Sequence, residues 1–198
     1  QQNKWVYYEN DSSKLNYNVT ENYIEPMKLP QYYQADDRWG AKRYGLSNMK
    51  LTGCVPTALA MAISGLKEDV NPVQVADFLY SMTMELNTTF LGTSSLGVQE
   101  VVSQWGLNYK VIDSKEELEE TLKNGTLVYG AVGHGIFVNG YSTHAVLLTG
   151  YENGKTKAFD PDNMAKTNKW YNIDDIWKER SLAPEDNMTG GAFIAIYK

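Results

Sequence analysis

Cys54 is the only cysteine among the 198 residues, and it sits in Thr52-Gly53-Cys54-Val55-Pro56-Thr57-Ala58-Leu59-Ala60-Met61, where a helix is predicted to begin. The first turn of a helix presents unpaired N–H groups and the positive end of the macrodipole, and both favour a thiolate over a thiol. A thiol whose ordinary pKa is ~8.5 still needs a base to act as a nucleophile near neutrality, and that base is most often His. The chain offers His144, which opens the apolar run Ala145–Tyr151, and His134, set between Gly133 and Gly135. A third group usually fixes the tautomer and orientation of such a ring. Asp160 is the candidate, because it ends the strand predicted to pair with the His144 strand across the Asn153-Gly154 turn, and an antiparallel hairpin brings its two ends to one edge. Attack on a carbonyl also calls for oxyanion donors, for which the Cys54 backbone N–H and the Gln34 side chain are proposed, with Gln31 in reserve.

The elements that must carry these residues follow from apolar spacing. Val55, Leu59, Ala62, Ile63 and Leu66 make one stripe on the cysteine helix, with Pro56 in its first turn and Gly65 as its expected stop. Asn71-Pro72 and Ser94-Ser95 open two further helices, the second ending at Gly106, and Ser114-Lys115-Glu116-Glu117 is a capping box for a helix stopping at Gly125. Strands are predicted over 107–112, 127–132, 145–151, 156–159 and 192–197, with Gly133–Thr143 as a flap and a short helix near 174–178. The expected fold is α+β, a helical half bearing the nucleophile packed against an antiparallel sheet bearing His and Asp, with a cleft between them. Residues 1–24 read as an N-terminal arm or extra strand around Trp5-Val6-Tyr7-Tyr8, and 25–198 as a single domain. Asp37 is expected to cap the loop Ala35–Gly40 and Trp39 to cover the core.

Composition narrows the function. With 18 basic and 24 acidic residues the net charge is −6 and no basic block occurs, so nucleic acid is not an expected partner. Two His and one Cys without HExxH or paired-Cys spacing do not make a zinc shell, and no glycine-rich phosphate loop is present, so neither metal nor cofactor is expected. No apolar run reaches bilayer-spanning length. The chain opens on Gln1-Gln2-Asn3 rather than Met, which suggests that a targeting segment has been removed.

Leu29-Pro30-Gln31-Tyr32-Tyr33-Gln34, Asp37-Arg38-Trp39-Gly40, Tyr44-Gly45, Gly53-Cys54-Val55-Pro56-Thr57-Ala58, Gly92-Thr93-Ser94, His144 to Gly150-Tyr151 and Asp160-Pro161 together resemble the C39-like peptidases, a bacterial papain-like cysteine peptidase family. That resemblance implies a papain-like fold over residues 25–198, with Cys54 as nucleophile, His144 as base, Asp160 as orienting residue and Gln34 as oxyanion amide. It further implies a secreted or cell-surface, monomeric hydrolase acting on a peptide or protein substrate. A cell-wall amidase or acyltransferase with the same triad, and a catalytically silent peptide-binding surface domain, are the rival readings. Val55 stands where the family usually carries Gly, which would crowd the backbone beside the nucleophile.

Overall fold

The computed structural model describes residues 3–10, 13–20, 22–82 and 92–198, with side chains for 22–80 and 92–198. β1 (Asn3–Asn10) and β2 (Ser13–Thr20) form an antiparallel hairpin of their own, longer than the single short strand expected around Trp5–Tyr8. β3 (Tyr23–Ile24) pairs with the far end of the His144 strand. After an irregular stretch come β4 (Arg43–Tyr44), β5 (Ser47–Asn48) and the short α1 (Met49–Thr52), then α2 (Cys54–Leu66), α3 (Pro72–Met82) and α4 (Ser95–Gln104). β6 (Asn108–Ile112), α5 (Lys115–Lys123), β7 (Leu127–Val132), β8 (His144–Glu152), β9 (Lys155–Phe159), β10 (Lys169–Asn172), α6 (Ile173–Lys178), a 3-10 turn over Pro184–Asn187 and β11 (Phe193–Tyr197) complete the order.

The main sheet runs β10-β9-β8-β7-β11-β6, with β3 paired to β8 off this path, and every pairing is antiparallel. Local signals place its turns and helix ends. Asn153 and Gly154 both take positive φ, as a tight hairpin turn requires. The Ser94 and Ser114 side chains accept from the N–H groups of Gly97 and Glu117, so each caps its helix as expected.

Period-two alternation divides the core in two. Leu127, Tyr129, Ala131, Ala145, Leu147 and Phe159 face α2, α3 and α4. Their neighbours Val128, Val132, Val146, Leu148 and Ala158 face α5 and α6 through Leu118, Leu122, Ile173 and Ile176. The sheet is therefore covered on both sides. This second helical layer was not anticipated, although the unbroken apolar run of β7 is the pattern of a strand buried on both faces.

The cysteine helix differs from expectation in two respects. Val55 through Ile63 are all buried, so α2 is a central helix and not one with a single buried stripe. Gly65 does not stop it; the helix reaches Leu66, and a Cβ at Gly65 would lie 2.3 Å from the Leu29 side chain. Gly53, by contrast, is required just before the cysteine, since a Cβ there would come within 2.4 Å of the Met49 carbonyl oxygen.

Val55 is a core residue that also reaches the wall of the cavity beside Cys54. Its side chain is 4% exposed and belongs to the core under α2. Val55→Gly, the substitution that restores the family's commoner residue, should therefore cost about 3 kcal/mol through lost burial and helix propensity. At 2–4 °C per kcal/mol for a chain of about this size, the thermal midpoint should fall by roughly 6–12 °C. An unchanged midpoint in a thermal melt would contradict this placement.

Candidate active site

Cys54 is half-buried at the first position of α2, whose preceding residue Gly53 gives no side-chain cap. The positive end of the helix is thus left to the thiol. Across from it, His144 opens β8 and pairs with Val132 of β7, so the sheet fixes its backbone. Its Nε2 lies 2.7 Å from Asp160 Oδ1. That leaves Nδ1 as the ring nitrogen for Cys54, with which the imidazole also interacts.

Asp160 follows β9 and is 1% exposed. Its Oδ1 also accepts from the Asp162 N–H at 2.8 Å and the Asn163 N–H at 3.2 Å, while its own N–H donates to Thr167 Oγ1 at 2.9 Å. The turn that follows Asp160 therefore also aims the carboxylate. Oδ2 is buried with no hydrogen-bond partner among the described residues, so the carboxylate's contacts there all fall on one oxygen.

Burial of the His144 ring works against its charged form. Its hydrogen bond to Asp160 and its interaction with Cys54, with the charge of each, outweigh that cost and hold its pKa up at about 10. The ring is 11% exposed and lines the two cavities beside Cys54.

Gln34 is brought to the same place and Gln31 is not. Gln34 is buried beside Cys54 and His144. Its backbone N–H donates to the Pro161 carbonyl at 2.8 Å and its Nε2 to the Lys50 carbonyl at 2.8 Å, which leaves one amide hydrogen uncommitted. The first bond straps the glutamine segment to the aspartate turn. Gln31 is exposed, and its Oε1 accepts from the Tyr33 hydroxyl.

The preceding loop is scaffold. Trp39 is buried and its indole N–H donates to the Tyr33 carbonyl, next to Gln34. Asp36, not Asp37, supplies the loop's carboxylate: its Oδ1 accepts from the Arg38 N–H, and Arg38 also pairs with it through its guanidinium. His134 stays in the flap, where its Nδ1 accepts from the Gly140 N–H at 3.2 Å; it lines neither cavity that holds Cys54.

Those two cavities, of about 290 and 330 Å³, flank the Cys54–His144 pair and share Leu51, Ser142 and Thr143. Sequence reasoning did not single out Ser142, Thr143, Glu185 or Asp186 as site residues. The last two belong to the 3-10 turn, far along the chain from Cys54, and no local pattern links them to it.

A helix-borne cysteine facing a histidine and aspartate on an antiparallel sheet is the layout of a papain-like fold, and solved structures carry the same fold. The peptidase domain of Streptococcus ComA, a bi-functional ABC transporter involved in a quorum sensing pathway, superposes with TM-score 0.54 at 19% identity, over 86% of this chain and 96% of that one. A protein described as a C39-like peptidase from Bacillus anthracis gives TM-score 0.58 at 15% identity, over 89% of this chain and 98% of that one. The Peptidase_C39 like family matches residues 27–189, and the chain belongs to that family. No curated protein sequence matches it.

Proposed function

We propose that the protein is a cysteine peptidase in which Cys54, His144 and Asp160 act as a triad and Gln34 assists at the oxyanion. The observation that supports this most directly is the His144 ring held between Asp160 and Cys54, with its pKa raised by both. In the ion-paired state the Cys54 thiolate attacks a peptide carbonyl, forming the C–S bond. The Cys54 N–H and the free amide hydrogen of Gln34 are the donors proposed for the oxyanion. His144 then gives its proton to the leaving nitrogen as the C–N bond breaks, leaving a thioester. Water attacks that thioester, His144 takes its proton, and the C–S bond breaks to release an acid and restore the thiolate.

Peptide or protein is the proposed substrate, and an extracytoplasmic site of action belongs to the same proposal, checked by fractionating the producing cells. The chemistry itself is tested by alkylating Cys54 with iodoacetamide at mildly acidic pH, folded against unfolded. An ion-paired thiolate should react at least ~10-fold faster when folded, because an ordinary thiol is almost entirely protonated there. Slower labelling of the folded chain would mark a silent binding domain. Product analysis on peptides against peptidoglycan fragments then separates a peptidase from a cell-wall amidase.

A further inference from the structure

Of the two cavities beside Cys54, the one of about 290 Å³ has a charge character that the triad does not use. Glu185 and Asp186 both line it, and none of its described lining residues is Lys or Arg. Asp186 is 6% exposed; Ser181 Oγ donates to its Oδ2 at 2.5 Å, and the hydroxyl of Thr143, the residue before His144, also interacts with it. Burial pushes the Asp186 carboxyl up, the two hydroxyls pull it partly back, and Glu185 raises it again. Among the described residues no Lys or Arg lines the cavity beside this carboxyl, so a cation reaching it there would come from a bound molecule. Leu51, Val55 and Ala145 give the same cavity an apolar wall. Apolar wall and acidic end together suit a long aliphatic stem with a cationic tip. The other cavity lacks this character, since Lys166 lines it beside Asp162.

We infer that the Asp186 cavity is a specificity pocket that takes a lysine or arginine side chain of the substrate next to the bond being cut. This rests on the peptidase reading for the word substrate, so the test includes an arm that needs no hydrolysis. In the first arm, peptides carrying lysine or its neutral near-isostere norleucine at each position flanking the cut are compared. At one position lysine should be favoured on the order of 10²-fold in kcat/KM. In the second arm, Cys54 is modified by 6-aminohexyl methanethiosulfonate or its neutral heptyl analogue. In either case the thiolate sulfur displaces methanesulfinate and forms a mixed disulfide, and mass spectrometry follows the rate. The aminohexyl reagent should react faster by at least ~10-fold.

Asp186→Asn should bring both ratios close to one. Glu185→Lys, at a half-buried position that leaves the Ser181 contact in place, should lower them as well and serves if the first variant does not fold. Equal rates for charged and neutral partners in both arms, or ratios that neither substitution changes, would overturn the pocket assignment. A chain that cleaves no peptide but keeps a charge-dependent preference in the second arm retains the pocket and loses the peptidase reading. A chain that cleaves lysine and norleucine peptides alike and shows no charge preference in the second arm keeps the peptidase reading and loses the pocket.

Discussion

Replacing Cys54 by Ala should remove turnover, by on the order of 10⁴–10⁶-fold in kcat, while the fold stays as it is. The loss is large because no other thiol exists to form the thioester, and the cavities alone offer only binding. The fold should survive because the side chain is half-buried at the mouth of α2, and Ala fills the same first-turn position with better helix propensity. The variant also carries an internal control in His144. In the native chain the Cys54 contact and charge help hold that ring's pKa up at about 10. With Ala there, burial still disfavours the cation and only Asp160 opposes it, so His144 should titrate at lower pH. The linkage has a definite sign. A histidine raised from ~6.5 contributes stability that is complete below ~6.5 and is lost as pH rises through the folded value, so Cys54→Ala should draw the upper end of that window downward. Peptide turnover, His144 NMR titration and melting against pH check these points in turn. Residual turnover within ~10-fold of the native chain would remove Cys54 from the mechanism.

Much of this site was legible in the sequence because its parts are set by local rules. A lone cysteine before Pro56 at a helix start, a histidine opening an apolar strand, and an aspartate ending the next strand across Asn153-Gly154 each follow from turn and cap chemistry within a few residues. The choice between Gln34 and Gln31 was not legible. They lie three positions apart, and the bonds that hold Gln34 inward, from its backbone to Pro161 and from its amide to Lys50, join it to segments outside its own. The same reason hid Asp186, whose place beside Thr143 depends on the chain after α6 folding back along β7: Gly133 N–H donates to the Glu179 carbonyl and Ser181 N–H to the Ala131 carbonyl. Periodicity also understated burial. An apolar stripe on α2 announces one buried face, but Ala58, Ala60 and Met61 are small or unbranched enough to be enclosed on the remaining sides, and the stripe alone does not reveal the neighbours that enclose them.

Asp160 has two proposed tasks, and two substitutions should separate them. Its Oδ1 orients His144 through the 2.7 Å contact with Nε2, and its charge supports the imidazolium. Asp160→Asn keeps an oxygen able to accept from His144 Nε2 and from the Asp162 and Asn163 N–H groups, so orientation and turn should persist while the charge is lost. The expected result is turnover within ~10-fold of native near neutrality, since Cys54 still supports the protonated ring, together with an alkaline limb moved to lower pH. Asp160→Ala removes the acceptor as well. The ring then loses its orientation and two turn N–H groups lose their partner, so kcat should fall by on the order of 10²–10³-fold, and stability by about 3 kcal/mol. The ordering is the test. If charge alone mattered, Asn and Ala would impair turnover equally. If neither substitution lowered kcat or moved the alkaline limb, Asp160 would belong only to the turn it holds together, and His144 would depend on Cys54 alone for its proton.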